Sequence, residues 1–101
     1  MTVDHIITNP EDYAYFPVSG DSMAPRINEG DRALVRFQPD VESGQLAVVM
    51  VDGEDWVIRK IIKGENGITL QTFNPAYEAR AYEADKVKIA GLVVVTERFF
   101  A

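Results

Sequence analysis

At 101 residues, 47% of them hydrophobic and 26% charged, the chain has the size and balance of one soluble globular domain, and neither a disordered nor a fibrous class fits. Its formal net charge of -6 excludes a domain that grips a nucleic-acid backbone by itself, because such domains cluster Lys and Arg to displace counterions. With no cysteine there is no disulfide framework, thiolate nucleophile or cysteine-ligated zinc, which agrees with a cytoplasmic location.

The first twelve residues, "MTVDHIITNPED", are acidic and lack the apolar stretch of a signal peptide. They read as a flexible arm (1–12) ahead of a single domain (13–101). From Tyr13 onward, short apolar or alternating runs separated by turn residues predict β-strands rather than amphipathic helices. In chain order these are "YAYFPVS", "RALVRF", "QLAVVMV", "DWVIRKIIK", "GITLQTF" and "KIAGLVVVTERFF". A single helical turn is expected between the first two, near Met23 to Ile27. Asp52-Gly53 and "GENG" from Gly64 predict two hairpins. The longest apolar run, "IAGLVVV" from Ile89, is too short to cross a bilayer. No repeat or Pro/Ser/Gly-rich linker divides the chain, so the expected fold is mostly β, a compact, strongly bent barrel or sheet.

The stretch "FPVSGDSMAP" from Phe16 places Ser22 in a turn. Ser, Gly and Asp are good turn formers, and that alone accounts for the motif. As a nucleophile, Ser22 would need a base, usually a neutral histidine or a desolvated lysine. The single histidine, His5, lies in the arm. The other candidate is on "WVIRKIIK", where Arg59 and Lys60 interrupt apolar neighbours that would lower the pKa of a lysine held among them.

The order "VSGDSMAPRINEGDRALV", "SGQLAVVMVDGEDWVIRKI", "GITLQTFNPAYEA", "IAGLVVVTERFF" resembles the C-terminal domain of LexA-like and lambda-type phage repressors, the S24 peptidase family, which UmuD-like proteins share. The resemblance covers Tyr13 to Phe100. It implies a mostly-β domain that dimerises, with a serine at the position of Ser22 attacking a bond in the N-terminal segment and a strand lysine as general base. Gly20, Asp21, Met23, Pro25, Gly30 and Asp31 then form the turn and groove about Ser22, with Asp31 a turn or cap residue rather than a catalytic acid. Aligning the apolar positions puts Arg59 on the lysine position and Lys60 on its basic neighbour.

Arginine stays protonated and cannot be a base, so the dyad reads as broken at Arg59. Lys60 would replace it only if a β-bulge after the "DGED" turn shifted the register by one. A buried Arg59 is expected either to pair with an acid or to swing to solvent. The family's Ala-Gly cleavage pair is absent between Met1 and Ser22, and Ala90-Gly91 falls in the last strand, where it reads as structural. Glu11-Asp12 and Glu54-Asp55 read as solvated charges, and neither a metal nor a cofactor is expected.

The resulting function is the regulatory and dimerisation domain of a LexA-like or phage-type repressor. It would pair as a homodimer, with the terminal "RFF" at a possible seam, and reach DNA only through a separate N-terminal helix-turn-helix domain. A co-protease or antirepressor is a further possible partner; no membrane is. The alternatives are an active self-cleaving peptidase using Ser22 and Lys60, and a stand-alone UmuD-like polymerase accessory protein.

Overall fold

The computed structural model describes residues 10–98. A 3-10 turn, Pro10–Asp12, leads into seven strands: β1 (Tyr13–Pro17), β2 (Arg32–Phe37), β3 (Leu46–Val51), β4 (Val57–Lys63), β5 (Ile68–Gln71), β6 (Arg80–Tyr82) and β7 (Val87–Glu97). They form one sheet in the order β1-β2-β7-β3-β4-β5-β6, each neighbouring pair antiparallel. The edges are β1 and β6, and no pairing between them closes a barrel among the described residues.

The middle of this sheet is apolar on both faces, which is why β3 reads as a continuous hydrophobic run rather than an alternating one. Leu46 and Val48 pack into one cluster with Val18, Met23, Ile27 and Ile58. Ala47, Val49 and Val51 face the other, with Ile61, Ile68 and Leu70. Because strand neighbours point to opposite faces, one small sheet supports two small cores. The segment between β1 and β2 covers the first of them, and Met23 and Ile27, each 3% exposed, anchor it at roughly 1.5–3 kcal/mol per buried side chain.

Both anticipated hairpins are present. Asp52 (φ 47°) and Gly53 (φ 77°) turn β3 into β4, the left-handed pair that an Asp-Gly turn uses, and Gly64 to Gly67 turns β4 into β5. The helical turn between β1 and β2 is closed by the Ile27 N–H on the Met23 carbonyl at 3.0 Å. The bulge that Lys60 would have needed after the "DGED" turn is not there. The β3–β4 register runs unbroken from Leu46↔Lys60 to Val49↔Val57, whereas the shifts occur where β7 pairs with β2 and with β3. As the strand that joins β2 to β3, β7 absorbs the mismatch between them.

Candidate active site around Ser22

Ser22 sits in the loop that leaves β1 and returns as β2. The neck of this loop is pinned by Val18 N–H to the Asp31 carbonyl (2.9 Å) and Gly30 N–H to the Val18 carbonyl (3.2 Å). Asp31, 6% exposed, accepts the Asn28 N–H at 2.9 Å and faces the Arg98 guanidinium at 3.7 Å. It therefore ties the serine loop to the end of β7. Inside the loop, Gly20 takes φ 78°, a conformation a side chain would oppose, and the chain then turns through Asp21, whose carbonyl accepts the Ala24 N–H at 3.1 Å. The Ala24-Pro25 bond is cis.

A second loop, between β5 and β6, clasps this turn from outside. Asn74 donates its backbone N–H to the Ser22 carbonyl at 3.1 Å and its side-chain amide to the Asp21 carbonyl at 2.9 Å. Its side-chain oxygen accepts the Ala76 N–H at 2.9 Å, an Asx-type turn that presents Tyr77. The Tyr77 hydroxyl donates to the Asp21 carboxylate. That bond, with the negative charge beside it, holds the Tyr77 pKa above its ordinary value. Asn74 and Tyr77 belong to the "NPAY" segment, whose residues carry no mark of bracing the serine turn.

From β4, Arg59 points at the serine. One guanidinium nitrogen, Nη1, donates to Ser22 Oγ at 2.9 Å and to the Ile58 carbonyl at 2.7 Å. Arg59 is half-buried, and desolvation lowers its pKa, partly opposed by the nearby Tyr77 and Tyr82; a guanidinium nevertheless remains charged at ordinary pH. The sequence-based expectation for Arg59 needs correction, since it is neither paired with a carboxylate nor swung to solvent. The serine hydroxyl and a strand carbonyl supply acceptors in place of an acid, and half-burial leaves the rest of the group within reach of solvent. Lys60 is the next residue on the same regular strand, so it projects to the other face, and among the described residues it makes no side-chain hydrogen bond or ion pair.

Ser22, Met23, Trp56, Ile58 and Arg59 line a narrow cleft of about 30 Å³. Arg59 also lines a larger cavity of about 590 Å³, bounded by the β3–β4 turn and the β5–β6 segment. Arg59 and Val57, two positions before it on β4, are the residues common to both.

Of the other residues singled out in the sequence, Met23 lies in the core. Gly91 sits where β7 passes the Arg36 backbone, so close that a Cβ would collide with its carbonyl; Ala90-Gly91 therefore has a packing reason to read as it does. His5, Phe99 and Phe100 lie outside the described residues. Among the described residues no three His, Cys, Asp or Glu side chains gather as a metal site, and no helix is long and apolar enough to cross a membrane.

Two comparisons bear on this arrangement. The LexA repressor of Acidiphilium cryptum (strain JF-5) is 31% identical over 93 residues, covering 91% of this chain and 40% of that protein. The chain thus spans about two fifths of the curated relative it matches. The family profile described as Peptidase S24-like matches residues 1–94. With the antiparallel β fold and the serine loop facing a basic strand residue, that match makes this chain a member of the Peptidase S24-like family.

Proposed function

We propose that the chain is the C-terminal regulatory and dimerisation module of a LexA-like or phage-type transcriptional repressor, with a self-cleavage dyad switched off at Arg59. The observation that carries this reading is the Arg59 guanidinium on Ser22 Oγ at 2.9 Å. General-base catalysis needs a group that accepts the hydroxyl proton, and this one only donates. DNA would be reached through another domain of the parent protein, in keeping with the chain's charge of -6.

The test is labelling of the full chain with a fluorophosphonate, followed by mass spectrometry of the Ser22 peptide from pH 7 to 10. Such a reagent reports serine activation and needs no cleavage segment. Wild type should label at the background rate. Arg59→Lys should label faster by about 10²-fold or more, increasingly at alkaline pH, as expected when a base is restored, and Ser22→Ala in that background should abolish the signal. Rapid labelling of wild type that disappears in Lys60→Ala would replace this reading with a working Ser22–Lys60 peptidase.

A further inference from the structure

Arg59 has donors to spare. Nη1 serves both Ser22 and Ile58, whereas Nε and Nη2 have no partner among the described residues. No unpartnered polar atom of a non-exposed residue is sealed from solvent, so these N–H groups remain accessible to a ligand. Together they form the planar edge of a guanidinium that matches a carboxylate in bidentate fashion. Glu54, Asp55 and Glu78 line the same cavity, yet none comes within ion-pairing distance of Arg59.

The charges around the cavity define the ligand. Arg59 and Arg80 supply two positive charges; Glu54, Asp55 and Glu78 supply three negative ones. A phosphate dianion would be repelled by the three carboxylates, and a bare monoanion gains little in that field. A ligand with one carboxylate for Arg59 and a cationic group for the acidic wall satisfies both. The volume of about 590 Å³ accommodates a few residues of peptide, and Leu70, Val57 and Tyr82 offer apolar walls for its backbone and stems. We propose that this cavity binds a peptide carboxylate within a residue or two of a lysine or arginine, with Arg59 as the carboxylate receptor. The proposal rests on the position of Arg59 rather than on loss of cleavage, so rapid labelling of wild-type Ser22 would overturn the switched-off reading and leave this one standing.

The experiment is an NMR titration of the full chain, following the Arg59 Nε–H resonance. The probes are acetyl-Lys-Ala-Ala as the free acid, the same peptide as its C-terminal amide, acetyl-Lys-Glu-Ala amide, and sodium acetate. The free acid should give a saturable shift, half complete near about 1 mM or below, and the amide should need at least about tenfold more. A matching response to the glutamate peptide would identify side-chain carboxylates as ligands; its failure would restrict the site to chain ends. Arg59→Gln should abolish the shifts seen in neighbouring amides. Glu78→Gln, an exposed change with little bearing on folding, should weaken the lysine peptide but not acetyl-Ala-Ala-Ala, a lysine-free control whose binding should hold or tighten as a repelling charge is removed. Equal binding of acid and amide, an acetate response matching the peptide's, or no shift at tenfold higher concentration would each overturn the proposal.

Discussion

A guanidinium and an ammonium can both stand 2.9 Å from a serine oxygen, but only the ammonium can lose a proton near neutral pH once its site is dry. That difference was visible in the sequence, because "VIRKI" shows arginine and lysine adjacent on a strand and alternation sends them to opposite faces. What Arg59 bonds to was not visible. Its acceptors are a hydroxyl from a loop 37 residues away and its own strand's carbonyl, neither of which composition can foretell. The bracing by Asn74 and Tyr77 was hidden for the same reason, since a turn-forming "NPAY" carries no sign of which loop it touches. Asn74→Ala removes the side-chain bond to Asp21 and should destabilise the fold by about 1 kcal/mol, with faster amide exchange concentrated at Asp21 to Ala24. Tyr77→Phe should produce the same local exchange pattern. The pH dependence follows from the raised pKa of Tyr77. The clasp is complete below the ordinary tyrosine value of about 10 and is lost as pH climbs through the higher folded value, so in wild type the protection of Asp21 to Ala24 should fall at strongly alkaline pH, whereas Tyr77→Phe shows no such step.

At the level of elements, period and punctuation were informative wherever a strand carried a hydrophobic pattern. "RALVRF" corresponds to β2 residue for residue, and "QLAVVMV" to β3 with one residue lost. The three-residue β6, "RAY", was missed: it is short, largely exposed and follows "NPAYEA", so nothing marks it except the partner β5 already in place. The position of the bulges was also illegible, because a bulge records a mismatch between two pairings and each strand's sequence describes only itself. Gly91 marks a place where β2 leaves no room for a Cβ on β7. Gly91→Ala should cost about 1–3 kcal/mol by overpacking, measurable as a lowered urea midpoint with an unchanged slope. Unaltered stability would mean that β2 can retreat from β7 without loss.

For the whole molecule, the proposed role requires association between copies. The exposed surface around Tyr15, Phe37 and Trp56 includes an apolar hollow of about 360 Å³, and clustered exposed apolar side chains of this kind are where copies can meet. Sedimentation equilibrium of the full chain at about 10 µM, a concentration that separates tight from weak self-association, should give twice the monomer mass. A single monomeric species there would remove the dimerisation part of the proposal. The strand order carries a further consequence. Since β7 lies between β2 and β3, the first two strands and the four from β3 to β6 have no ladder joining them until β7 is present. On a ribosome, therefore, the domain emerges as two groups of strands that only loop and side-chain contacts can join, each with an open edge where β7 will insert. The sheet can be completed only after Glu97 has cleared the exit tunnel, and its completion is slow in the manner of long-range strand pairing. Until then, the vacant slot between the two groups is where a strand from another nascent chain would most readily insert.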